Sequence, residues 1–188
     1  MKELSLNILD IAQNSISANA KNIQIILNED EKGILTLRII DDGKGMSKEV
    51  VESVTNPFYT TRQTRKVGMG IPLLKLACEQ AEGYFEIDSK TIENEPENHG
   101  TTVCAVFNTK SIDFTPIGDI VDTLCVLLQG NPEIDFYFEH ITPEIEVKLS
   151  TKELKEILGE DVSIGEFEVL EWVKAYLKEQ YSSKKNSI

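Results

Sequence analysis

At 188 residues and 21.1 kDa the chain can bury one core, or one core with a small addition, and is too short for a multidomain machine. Apolar residues at 40% and charged residues at 27% exclude a largely disordered or fibrous chain. The net charge of −13, from 19 Lys and Arg against 32 Asp and Glu, argues against nucleic acid as a partner, because a phosphate backbone would be repelled.

The acidity is uneven: residues 1–110 hold 12 basic and 16 acidic side chains, whereas residues 111–188 hold 7 and 16. This predicts two units, a domain at 1–110 and an acidic C-terminal appendage at 111–188 suited to docking a protein partner. No apolar run approaches the roughly 18 residues needed to cross a bilayer, and Met1 leads straight into a patterned segment. The expectation is a cytoplasmic chain with no membrane partner. Cys78, Cys104 and Cys125 are odd in number and far apart, which suits reduced, packing thiols rather than a disulfide framework or a zinc site.

Leu4 to Ala18 reads as a helix, since Leu4, Ile8, Ile11 and Ser15 recur at helical spacing while Glu3, Asn7, Asp10, Asn14 and Ser17 fall on one narrow polar stripe. The stripe fits either a solvent face or a mostly buried helix that turns polar groups toward a charged ligand. Asn22 to Leu27 and Ile34 to Ile40 are β-rich runs around a polar turn, the pattern of a hairpin. Lys48 to Val54 reads as a short helix. Thr55 to Gly70 is polar and long for a connection, as functional lids are. Ile71 to Gln80 is helical, Tyr84 to Ser89 and Thr101 to Phe107 are strands, and the acidic interval Glu93 to His99 is a loop.

In the last third, a helix is expected between Ile117 and Gln129, then strands around Ile134 to Glu139 and Ile145 to Leu149. Two capping boxes, Ser150-x-x-Glu153 and Ser163-x-x-Glu166, announce two more helices, and Ser182 to Ile188 should fray. The whole predicts an α/β (α+β) two-layer sandwich, helices on one face of a mixed sheet, with a small C-terminal α/β appendage.

Three constellations carry chemistry. Asp41-x-Gly43-x-Gly45 at the end of an apolar strand sets a carboxylate where little water enters, followed by glycines that let a flat ligand approach the backbone; an ordinary turn has the same letters. Val67-Gly68-Met69-Gly70-Ile71 precedes a helix, where amides and the helix dipole favour an anion such as phosphate. Asp10 and Asn14 stand one helical turn apart and can share a hard cation or a water. Of only three arginines, Arg62 and Arg65 lie with Lys66 just before the second glycine pair, either as a solvated charge run or as cations for a triphosphate.

In this order the elements resemble the ATP-binding domain shared by histidine kinases, DNA gyrase, the MutL mismatch-repair proteins and the large heat-shock chaperone, the GHKL or Bergerat-fold ATPases. Leu9 to Ser15 looks like the N box, Asp41-Asp42-Gly43-Lys44-Gly45-Met46 like the G1 box, Pro57 to Arg62 like the F box and lid of nitrogen-regulation-type sensor kinases, Gly68-Met69-Gly70-Ile71 like G2, and Gly100 to Val103 like the closing strand. The resemblance covers residues 3–108. It implies ATP and Mg²⁺ as cofactors, with Asn14 on the metal, Asp41 accepting from the adenine amino group and Thr101 nearby. It further implies Gly68 and Gly70 amides on the phosphates, and Thr60, Thr61 and Arg62 in the lid.

The sequence also departs from the family. Where the gyrase and MutL branch has a Glu general base and histidine kinases usually have Asn, this chain has Asp10, which keeps the carboxylate on a shorter arm. Ser17 replaces the acid of the MutL-like Asn-Ser-x-Asp-Ala pattern. No dimerising hairpin with a phosphoacceptor His precedes the N box in this sequence. His99 and His140 are expected to be solvent-facing loop residues. The expectation is therefore a histidine-kinase-like ATPase with slow hydrolysis or phosphoryl transfer to a partner in trans. A nucleotide sensor without turnover and a serine kinase resembling the anti-sigma factors are the other readings.

Overall fold

The computed structural model describes residues 3–55, 69–159 and 161–183. Helix α1 (Leu4–Ser17) buries Leu4, Ile8, Ile11, Ala12 and Ser15 along its apolar arc. Strands β1 (Asn22–Glu29) and β2 (Ile34–Asp41) alternate with period two, burying Ile23, Ile25 and Leu27 and then Leu35, Leu37 and Ile39. They are followed by α2 (Lys48–Thr55), α3 (Gly70–Gln80), β3 (Tyr84–Lys90), β4 (Gly100–Asn108) and α4 (Ile120–Gly130). Last come β5 (Asp135–Ile141), β6 (Glu146–Ser150), α5 (Thr151–Leu158) and α6 (Phe167–Ser182).

The strands form one mixed sheet in the order β3-β4-β2-β1-β5-β6. The helices pack on the face that carries Ile25, Leu37, Ala105 and Phe138; the other face shows exposed Gln24, Arg38, Glu86 and Lys148. Residues 111–188, expected as an appendage, contribute β5 and β6 to this sheet. Here β5 runs parallel to β1, with Asn22 opposite Asp135 through to Asn28 opposite Ile141. Leu124, Phe136, Val173 and Leu177 share a single buried cluster with Ile8, Ile25 and Leu37, so the change in surface charge near residue 110 lies over a continuous core. Among the described residues no helix is long and apolar enough to cross a membrane.

Two boundaries moved for identifiable reasons. Helix α4 starts at Ile120 rather than Ile117 because Asp119 caps it, accepting from Asp122 N at 2.9 Å. The preceding carbonyls of Pro116 and Ile117 instead accept from Leu4 N and Ser5 N at 2.8 Å each, satisfying amides that the start of α1 would leave open. The Ser163–Glu166 pair closes a turn just ahead of α6, with Ser163 N donating to Glu166 Oε1 at 3.1 Å. Ser150 caps α5 as expected, accepting from Glu153 N. At the outer edge of β6, Gln180 pairs with both backbone groups of Lys148: its Oε1 accepts from Lys148 N at 2.9 Å and its Nε2 donates to Lys148 O at 3.0 Å.

His140 is the clearest correction to the sequence reading. It is a strand residue, only 4% exposed, in phase with Phe136 and Phe138 on the buried face. Its Nδ1 lies 2.9 Å from the Tyr181 hydroxyl. Burial pushes the imidazole down from the usual 6.5 to about 4, and pushes the Tyr181 phenol upward. The unfolded chain therefore takes up a proton near pH 6.5 that the folded chain refuses until about pH 4. Stability should fall across that window by on the order of 3 kcal/mol. Urea unfolding between pH 7 and 4 checks this: the wild type should lose more than His140→Leu, and parallel pH profiles for the two would refute it.

Candidate functional site

The antiparallel registers put Asp41 of β2 opposite Thr101 of β4, and Thr101 opposite Ser89 of β3, so the three polar side chains form one row on the helix-covered side of the sheet. Asp41 closes the row against α1. Its Oδ2 accepts from Ser15 Oγ at 2.6 Å and its Oδ1 accepts from Gly43 N at 2.9 Å. The neighbouring acid does different work. Asp42 accepts from Lys21 N, Asn22 N and Asn22 Nδ2 at 2.7, 2.9 and 2.6 Å, clamping the start of β1. Burial opposes ionisation of Asp42, but the bonds from the Asn22 side chain and the two backbone amides outweigh it and hold the carboxyl below the usual range.

The turn after Asp41 is tied on both sides. Lys44 N donates to Ala18 O at 2.9 Å, at the end of α1. From the β3–β4 side, Ile92 N donates to Lys44 O at 3.0 Å, His99 Nδ1 reaches Gly43 O at 2.6 Å, and Met46 N donates to Ser89 Oγ at 2.8 Å. His99 is thus a half-buried tether of the turn, not the solvent-facing residue expected. Two glycines make the approach possible. Gly45 has φ +70° and a Cβ there would run into the Lys90 carbonyl; Gly100 has φ +130° and a Cβ there would strike the Asp41 carbonyl.

Between α1, this turn and α3 lies a cavity of about 570 Å³. Of the residues expected from sequence, Asn14, Asp41, Gly45, Met46, Ile71 and Thr101 line it. Asp10, Gly43, Met69 and Gly70 are placed around it without forming its wall; a Cβ on Gly70 would come within 2.8 Å of Asp10 Cβ, so the start of α3 sits directly against α1. Thr60, Thr61, Arg62, Lys66 and Gly68 lie outside the described residues. Among the described residues Ile11, Ser15, Ser17, Ala18, Lys44, Val50 and Val103 also line it. Ser15 was readable from the sequence, as a hydroxyl set in an otherwise apolar buried stripe. Ser89 was not, because its role depends on the strand register. A buried amide also faces this region: Asn14 Nδ2 has no hydrogen-bond partner among the described residues.

A carboxylate with two fixed donors, next to a cavity bounded by glycine turns and a helix start, is the arrangement that a comparison with known families can place. The family model described as histidine kinase-, DNA gyrase B- and HSP90-like ATPase matches residues 1–111. The chain belongs to this ATPase family.

The matched residues run from α1 through β4. Among curated relatives of these ATPases, the sensor histidine kinase YvrG of Bacillus subtilis is 30% identical over 100 residues, covering 50% of this chain and 16% of that protein. A probable C4-dicarboxylate sensor kinase of Halalkalibacterium halodurans is 28% identical over 99 residues, covering 51% and 17%. The chain spans about a sixth of the length of these kinases. Among solved structures, the Aquifex aeolicus MutL ATPase domain complexed with ADP superposes with a TM-score of 0.52 at 15% identity, covering 84% of this chain and 69% of that one. The N-terminal domain of a DNA repair protein gives 0.53 at 22%, covering 80% and 52%. At these identities the likeness is one of fold.

The two adjacent acids give a paired test within the ATPase domain. Asp41→Asn removes the inward-facing charge and should abolish ADP binding while leaving the melting temperature within a few degrees. Asp42→Ala removes bonds whose exposed donors water can then satisfy, so it should cost about 1 kcal/mol and retain nucleotide affinity. Calorimetric titration with ADP alongside thermal melts separates them, and retained affinity in Asp41→Asn would remove Asp41 from the site.

Proposed function

We propose that the chain binds ATP together with Mg²⁺ in the cavity between α1, the Asp41–Met46 turn and α3, and that nucleotide occupancy acts as a switch toward a protein partner. The observation that carries this reading is the Asp41 carboxylate, fixed by Ser15 and Gly43 and facing a cavity large enough for a purine nucleotide. Carboxylate oxygens are pure acceptors, and the adenine amino group is a donor of matching size. Apolar Ile11, Met46, Val50, Ile71 and Val103 give the ring flat surfaces, and the start of α3 offers backbone amides to phosphate.

The residues present also fit a cation. Mg²⁺ takes one or two protein oxygens and completes its shell with phosphate and water. Asn14, which lines the cavity, can offer its amide oxygen as one such ligand. Bound there, Mg²⁺ would offset the triphosphate charge. Asn14 would orient it, while the row of Asp41 and Thr101 holds the base.

Slow hydrolysis or transfer to a partner in trans is one outcome of such binding, but Asp10 favours the switch. Its side chain is exposed, absent from the cavity wall, and makes no hydrogen bond among the described residues that would aim it at a water. A general base needs its geometry before its pKa. The acid excess of residues 111–188, and the stacked, half-exposed rings of Trp172 and Tyr176 on α6, support protein docking at the C-terminal third.

Titration with ATP should show binding with Mg²⁺ that weakens in EDTA, and Asn14→Ala should lower the Mg²⁺-ATP affinity by roughly tenfold or more with ADP in EDTA little changed. In the same preparation, phosphate release from labelled ATP should be at or near background and unaltered in Asp10→Asn. Turnover that disappears in Asp10→Asn would replace the switch with a hydrolase, and label moving to an added partner would replace it with a kinase.

A further inference from the structure

Ser89 lies outside the cavity wall, one strand beyond Thr101, yet its hydroxyl determines what Thr101 can offer a ligand. The accounting is short. A serine hydroxyl has one proton and two lone pairs. Ser89 Oγ donates its proton to Gly100 O at 3.0 Å and accepts from Met46 N at 2.8 Å. Its remaining contact is Thr101 Oγ1 at 2.8 Å. The one assignment that satisfies all three contacts together has Ser89 donate to Gly100 O and Thr101 donate to Ser89, which leaves Thr101 facing the cavity with lone pairs. Asp41, next in the row, presents a carboxylate whose two oxygens already accept from Ser15 and Gly43. The Asp41–Thr101 end of the cavity is therefore an acceptor-only surface.

We propose that Ser89 is a positioning residue for base selection: by fixing the direction of the Thr101 hydrogen bond, it makes this end of the cavity demand a donor on the edge of the base. The inference rests on the nucleotide reading above and adds to it a residue that never touches the ligand. The tether is sequence-local on one side only. Ser89 and Thr101 are brought together by the β3–β4 register, and the same hydroxyl holds the turn at Met46, so base selection and turn position share one group.

The test compares ADP with purine riboside 5′-diphosphate, which lacks only the exocyclic amino group. Wild-type protein should prefer ADP by roughly tenfold or more, because acceptors facing a base with no donor lose their partners. In Ser89→Ala the Thr101 proton is released to turn inward toward a ring nitrogen, and the preference should shrink to about threefold or less. Ser89→Thr, which keeps the hydroxyl, should restore it. A purely structural role would weaken both ligands equally and leave the ratio unchanged, and that result overturns the inference. If Ser89→Ala does not fold, Thr101→Val in the wild-type background reads the same ratio, and an undiminished preference there also overturns it. Wild-type protein that binds neither nucleotide would refute the nucleotide reading itself, a result distinct from binding with an unaltered ratio.

Discussion

The bond between Ser15 on α1 and Asp41 at the end of β2, 2.6 Å long, is the contact on which the architecture of the cavity depends. It joins the first helix to the sheet at a point where both must bring polar groups to an apolar interface, and such groups are tolerated only when paired. Once Asp41 is committed to Ser15 and to Gly43 N, the chain after it must turn sharply over the end of α1. Ala18 Cβ and the Asp41 carboxylate then leave no room for a side chain at residue 43. The glycines of this segment are thus steric consequences of an acid held in place. Gly100 extends the same logic to the far strand, since β4 passes so close to the Asp41 carbonyl that a Cβ is excluded.

The helix and hairpin boundaries of residues 3–108 were legible because they rest on local signals: a helical apolar arc at Leu4, Ile8 and Ile11, alternation through Ile23, Ile25 and Leu27, and glycines at the turns. The pairing of β5 with β1 was not, because more than a hundred residues separate the partners and a parallel pair leaves no turn signature between them. Surface charge suggested a break where the core has none. His140 was misread for a related reason. Its acidic neighbour Glu139 suggested solvent, whereas its phase with Phe136 and Phe138 was the better guide.

Within the site, residue type was legible but direction was not. Asp41 and Asp42 are adjacent and chemically identical, and a strand turns successive side chains to opposite faces, so one meets the cavity while the other secures Lys21 and Asn22. Asn14 could be singled out from its spacing to Asp10, but that its Nδ2 has no partner among the described residues is a property of packing. Ser89 and His99 act through hydrogen bonds to a turn half the domain away in sequence, and no local pattern marks them.

The pairing of Gln180 with Lys148 has its own consequence. A primary amide carries the same donor and acceptor as a peptide group, so Gln180 imitates one residue of a seventh strand along β6. The outermost strand is thereby occupied at its middle residue by a side chain from within the molecule, and an intruding chain seeking to lengthen the sheet on that flank would first have to evict it. A helix thus guards the sheet's rim without covering it, leaving its exposed aromatic flank available for other contacts while β-type self-association is discouraged.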